Sequence, residues 1–201
     1  TRAIKSVIQG LSDITIKMVD LIMIIAPIGV FALIAGTITA IAGDNVGTVF
    51  SLLSSLGFYT LVVLLGLLLH VLLVYTVIVH FFTRFKLKEF FTGIAPAQLL
   101  AFSTSSSAAT LPVTLECAEE NLGVRHEVAS FVLPLGATIN MDGTGLYQGV
   151  AAVFIATMYN IDLSVGQQLQ IVLVAALASI GTAAVPGVGI VMLTIVLTQI
   201  G

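Results

Sequence analysis

No charged side chain lies between Asp44 and Arg84, and none follows Asp162. Each of these stretches exceeds the ~20 residues a helix needs to cross the hydrocarbon core of a bilayer. Within a bilayer only helices and closed barrels satisfy every backbone polar group. The apolar runs here are continuous and rich in Leu, Val and Ile, without the period-two alternation of a barrel strand, so they are read as helices. Hydrophobic residues make up 58% of the 201 residues and charged residues 8%. A soluble domain carries about 25% charged residues, so this chain could not cover itself with a wetted surface. The expected fold class is an all-α membrane protein, embedded in a lipid bilayer.

A net charge of −3 with no basic stripe argues against a nucleic-acid partner. The single cysteine, Cys117, excludes an internal disulfide and lacks the neighbours of a metal site, so it is read as a structural thiol. The chain opens on TRAIKSVIQG without an initiator Met and stops at Gly201 just after an apolar run. It is therefore expected to be the middle of a longer polypeptide.

Five apolar segments can be read, at about 18–43, 46–82, 90–115, 128–160 and 165–200. Pro27 is expected to kink the first. The last three have polar or Gly/Pro-rich middles: STSSSAATLP (103–112), NMDGTG (140–145) and SIGTAAVPGVG (179–189). Basic residues mark the cytoplasmic side. All seven share one side if segment three dips into the membrane and returns rather than crossing it, with Pro96, the serines and Pro112 giving it a place to turn. Segment five is then read as a second re-entrant hairpin, entering from the opposite face. Two interrupted hydrophobic segments flanking a broken helix are the sequence pointer to a transporter's binding site.

Asp142 lies mid-segment, where an ionised carboxylate costs about 2.5–3.5 kcal/mol and needs a cation, a polar cavity or a proton. Asn140, Gly143, Thr144 and Gly145 are expected to let the helix unwind there, freeing oxygen ligands that suit a hard cation such as Na⁺. An Asp that merely hydrogen-bonds a neighbouring hydroxyl for helix packing is the alternative. Ser105, Ser106 and Ser107 could offer N–H groups and hydroxyls to a carboxylate at a half-helix tip; small-residue packing is the competing reading. Thr182, Gly187 and Gly189 are weighed in the same way. His70 and His80 have no acidic neighbour in sequence and are read as packing or interfacial residues. Tyr147, Gln148 and Tyr159 are assigned to packing or the interface.

At these same positions the sequence resembles the dicarboxylate/amino acid:cation symporters, the glutamate/aspartate transporter family. LPLGATINMDGTGLYQG (133–149) is similar to the seventh-helix signature, STSSSAATLPVT (103–114) to the first hairpin and ASIGTAAVPGVG (178–189) to the second. APIGVFALIAG (26–36) fits the fifth helix. The resemblance implies an elevator-type symporter, trimeric when full-length, with 1–44 as a scaffold helix and 45–201 as part of the transport domain. By position it implies Na⁺ ligation by Gly136, Thr138, Asn140, Asp142, Ser179, Ile180 and Thr182. Substrate contacts fall to Ser106, Ser107, Thr144, Val185 and Gly189, and Met141 sits between cation and substrate. Two departures stand out. The helix that in the family follows hairpin two and carries the specificity residues lies outside this sequence, as do the early helices. Ser105 also stands where some members carry Arg.

The expected function is symport of a small acidic solute, an acidic amino acid or C4-dicarboxylate, with Na⁺ or, alternatively, H⁺, and no other cofactor. The expected location is a multi-pass place in a cell membrane, of the bacterial inner-membrane kind. A neutral amino acid symporter and a non-transporting fragment are the alternatives. An intramembrane protease is disfavoured: the serines lack a GxSxG-type setting, and an aspartyl mechanism needs a second midplane Asp.

Overall fold

A computed structural model of the chain describes residues 2–42, 46–184 and 187–198. Among them every regular element is helical. In chain order these are α1 (Arg2–Ala42), α2 (Val46–Leu69), a π-helical segment His70–Tyr75, α3 (Thr76–Phe82), α4 (Leu87–Thr104) and α5 (Ser107–Glu116). A second π-helical segment, Cys117–Asn121, follows, then α6 (His126–Ile139), α7 (Asp142–Met158), α8 (Val165–Ile180) and α9 (Val188–Leu197). The chain divides into two compact units, Thr1–Phe58 and Tyr59–Gly201.

In the first unit, α1 runs as one helix with Pro27 inside it. Ile24, Ile28 and Phe31 are all exposed, an apolar surface suited to lipid rather than to water. Among the described residues one stretch, Gly47–Phe82, is long and apolar enough to cross a membrane. Its 36 residues exceed the ~20 that a helix needs to cross the hydrocarbon core.

The second unit is built from helices that stop and restart. α4 ends at Ser105, whose φ of 50° lies in the left-handed region, and Ser106 turns extended to start α5. Ser106 Oγ accepts the Ala109 N–H at 3.2 Å, an N-cap that fixes the new helix. The reversal occupies these two serines, and Pro96 and Pro112 lie inside the helical arms instead of at the turn. The arms return alongside each other. Asn121 Nδ2 donates to the Gly93 carbonyl at 2.7 Å, and a Cβ at Gly93 would lie 2.9 Å from Leu122 Cδ2.

The break between α6 and α7 is confined to Asn140 and Met141, which have neither helical nor strand dihedrals. Asp142, Gly143, Thr144 and Gly145 already belong to α7. The two glycines therefore do not unwind the helix as expected; they admit neighbours. A Cβ at Gly145 would meet Ser179 Oγ at 3.3 Å, and one at Gly143 would meet Leu67 Cδ2 at 3.5 Å.

α8 starts at a capping box in which Ser164 and Gln167 exchange side-chain to backbone bonds. It ends at Gly181, and α9 restarts after Gly187, whose φ is 82°. The core joins Ala152 of α7 to Ile171, Ala175 and Ala178 of α8 and Val196 of α9. Small residues dominate it, as helix packing in lipid favours, because close backbone approach supplies the van der Waals contact there.

Candidate functional site

Two of the interruptions meet in the second unit, and the first turns of α7 reach the second of them. Ser106 Oγ donates to the Ala184 carbonyl at 3.1 Å, and the Ala108 N–H approaches the same oxygen at 3.4 Å. The turn between α4 and α5 therefore touches the segment between α8 and α9. Hydroxyls brace this turn from within: Thr110 Oγ1 donates to the Ser106 carbonyl at 2.8 Å and sits 3.3 Å from Thr104 Oγ1. Thr110 is buried and Ser106 nearly so, while Ser107 is exposed at the first position of α5.

α7 meets the start of α9 at Gly189. A Cβ there would run into the Tyr147 hydroxyl and would lie 3.2 Å from Thr144 Cγ2. Gln148, fully buried, donates from Nε2 to the Gly189 carbonyl at 2.9 Å, and its Oε1 has no partner among the described residues. This glycine is required by close approach.

Asp142 opens α7 as its first-turn acid, where the positive end of the helix dipole favours a carboxylate. Its Oδ2 accepts the Tyr75 hydroxyl at 2.7 Å and lies 3.2 Å from His70 Nε2. The two rings meet edge to face, with centroids 4.8 Å apart. Asp142 and His70 keep 32% and 26% of their side chains exposed, so the carboxylate is reachable as well as held.

The helix break at Asn140 and Met141, the partly exposed carboxylate and the two touching turns present oxygens and N–H groups of the kinds that small ions and polar solutes accept. The profile of the Sodium:dicarboxylate symporter family matches residues 1–201. The chain belongs to that family.

Its relatives include excitatory amino acid transporter 1 of Ambystoma tigrinum, 45% identical over 200 residues, which are 100% of this chain and 36% of that protein. Excitatory amino acid transporter 3 of Bos taurus is 47% identical over 193 residues, 96% of this chain and 36% of that protein. Excitatory amino acid transporter 2 of Homo sapiens is 44% identical over 191 residues, 95% of this chain and 32% of that protein. The chain spans about a third of the length of the curated relatives it matches. These relatives are vertebrate proteins and lend no support to a bacterial inner membrane.

The structure brings some of the predicted positions of this family member together. Ser106 meets Ala184, Thr144 nears Gly189, and Ser179 lies against Gly145. Others make bonds within their own turns. The Gly136 carbonyl accepts the Asn140 N–H at 2.9 Å, Thr138 Oγ1 donates to Leu135 at 2.8 Å, and Thr182 Oγ1 donates to Ala178 at 2.9 Å. Met141 is half-buried at the helix break, whereas Ile180 is 51% exposed. Val185 lies outside the described residues.

His70, read from the sequence as a packing or interfacial residue without an acidic neighbour, instead faces a carboxylate. The acidic neighbour is 72 positions away in sequence. Tyr75 was not singled out at all. A histidine and a tyrosine five apart in an apolar helix were the available signal, but five residues is not a facing distance in an α-helix. Gln148, read as packing or interface, is a buried hydrogen-bonding residue.

Proposed function

We propose that this chain is the central part of a secondary active symporter that moves an acidic amino acid or C4-dicarboxylate together with Na⁺. The observation that carries the reading is the contact of the α4–α5 turn with the α8–α9 segment, with α7, which opens on Asp142, reaching Gly189 at the start of α9, within a chain matched end to end by a sodium:dicarboxylate symporter profile. In this reading α4–α5 and α8–α9 are re-entrant hairpins entering from opposite faces. Their contact through Ser106 and Ala184 closes the site.

The proposed division of labour follows the chemistry of the donors. Gly136, Asn140, Ser179 and Ile180 offer backbone carbonyls beside helix breaks, and Thr138, Thr182 and Asp142 add side-chain oxygens; hard oxygens of this kind suit Na⁺. Ser106, Ser107 and Thr144 supply hydroxyls and N–H groups for a carboxylate, while Val185 and Gly189 line the second turn. Met141, lying between the two sets, links cation occupancy to substrate. Alternating access by elevator movement of 45–201 against a scaffold containing 1–44, within a homotrimer, completes the proposal. A proton in place of Na⁺ is the variant to be tested beside it.

The test is uptake of labelled aspartate, glutamate and succinate into proteoliposomes, with and without an inward Na⁺ gradient. Both this chain and the chain with its natural flanking sequence should be used. Uptake driven by the Na⁺ gradient and lost in Asp142→Ala supports the symporter. No uptake of any of these solutes by either form, under Na⁺ or proton gradients, would sink the acidic-solute assignment and turn the search to neutral amino acids.

A further inference from the structure

Resting on the symporter reading, we propose that His70 and Tyr75 are positioning residues for the coupling cation. They hold Asp142 through Oδ2 so that Oδ1 is presented to the ion.

At 3.6 residues per turn, positions five apart in an α-helix point about 140° away from each other. His70 and Tyr75 are five apart and yet reach one oxygen atom. They do so because the segment between them is π-helical, with the Thr76 N–H returning to the Val71 carbonyl, five residues back. An i→i+5 bond brings residues i and i+5 onto one face. π-Helical turns are rare and occur frequently at functional sites. Thr76 Oγ1 adds a second bond to the same Val71 carbonyl at 3.1 Å, which secures the turn.

The two oxygens of the carboxylate are used differently. Both partners fall on Oδ2, and Oδ1 has none among the described residues. With His70 as its Nε2–H tautomer, two donors converge on one oxygen and fix the plane of the carboxylate. A ligand oxygen held in this way loses less freedom when an ion binds, and outer partners of this kind typically set metal affinity by 10–100-fold. The edge-to-face ring contact between His70 and Tyr75 makes the two donors a single unit.

A Cβ at Gly66 would lie 3.2 Å from Leu146 Cδ2, and one at Gly143 would lie 3.5 Å from Leu67 Cδ2. α2 and α7 therefore touch through Gly66 and Leu146 one turn before the π segment, so the donors and the carboxylate sit on neighbouring helices and not on a loop.

The experiment uses the chain with its natural flanking sequence. It compares the unaltered protein with Tyr75→Phe, His70→Ala and His70→Gln. Two quantities are read: the Na⁺ concentration for half-maximal substrate uptake, and the Na⁺ dependence of thermal unfolding in detergent without substrate. Tyr75→Phe and His70→Ala should each raise the half-saturating Na⁺ about tenfold in both readouts. Substrate half-saturation at saturating Na⁺ and the maximal rate should stay near the unaltered values. His70→Gln, whose amide N–H can reach Oδ2, should recover most of the loss. Unchanged Na⁺ dependence in Tyr75→Phe and His70→Ala overturns the proposal while leaving the symporter standing. So does a joint shift of Na⁺ affinity, substrate affinity and unfolding temperature that His70→Gln does not reverse, since that is the mark of a purely structural contact. Absence of any Na⁺ dependence in the unaltered protein overturns both readings together.

Discussion

Ser106 Oγ donates to the carbonyl of Ala184 at 3.1 Å, so the turn joining α4 to α5 is tied directly to the segment joining α8 to α9. The same oxygen atom caps α5 by accepting the Ala109 N–H. One buried hydroxyl thus both starts a helix and connects two turns 78 positions apart.

Removing it should be felt in both roles. Ser106→Ala is expected to destabilise the protein by about 1–2 kcal/mol through the lost cap and the lost bond to Ala184. It should also weaken half-saturation by substrate. Ser107→Ala, at an exposed position, should leave thermal unfolding within about 0.5 kcal/mol of the unaltered protein while still weakening substrate binding. Paired unfolding and uptake measurements check both; equal stability losses in the two variants would contradict the assignment.

A Cβ at Gly189 would run into the Tyr147 hydroxyl, so a side chain there forces the Tyr147 ring to move. Gly189→Ala should therefore abolish uptake or reduce it at least about tenfold, since overpacking of this kind typically costs 1–3 kcal/mol. Tyr147→Phe in the same protein removes the clashing atom and leaves Cζ 3.3 Å from the new Cβ, so the double variant should regain much of the activity. A double variant no better than the single one would place the defect elsewhere.

Asp142→Asn keeps the shape of the side chain and removes its charge. Na⁺-driven uptake should fall by at least about 10–100-fold, the loss that removing even a ligand's outer partner typically causes. The Na⁺ dependence of thermal unfolding should flatten, and circular dichroism should still report a helical protein. Uptake that keeps its Na⁺ dependence would remove Asp142 from the cation site.

Gln148 sets two effects against each other. Its Nε2 bond to the Gly189 carbonyl contributes about 1 kcal/mol, while its buried Oε1 lacks a partner among the described residues, a penalty of similar size. Gln148→Met should therefore change thermal stability by no more than about 1 kcal/mol. It leaves the Gly189 carbonyl without its donor, so the start of α9 should exchange its amide hydrogens faster. Hydrogen exchange with mass detection over 187–198 reads this out, and unchanged protection there would show that the bond does not restrain α9.

Much of the architecture was legible in the sequence because it depends on local composition. Helices follow from charge-free apolar runs, since backbone groups in lipid have no other general partner. The breaks at Ser105–Ser106 and Asn140–Met141 fall where polar residues interrupt those runs, and Gly181 and Gly187 bound the third. Pro96, Pro112, Gly143 and Gly145 misled for one shared reason. A residue that permits a bend does not compel one, and Gly145 is used for close packing against Ser179.

The sequence by itself determined that this is a helical membrane protein of the symporter family, and where its helices are interrupted. Both follow from neighbours along the chain and from motifs read in order. The tertiary structure alone decided which interrupted pieces touch: Ser106 with Ala184, Gln148 with Gly189, and Asp142 with His70 and Tyr75. The last pairing was invisible to periodicity because a π turn shifts the phase of the helix. Its bonds form only once α7 packs against the end of α2, and no local rule places a carboxylate beside a histidine 72 positions before it.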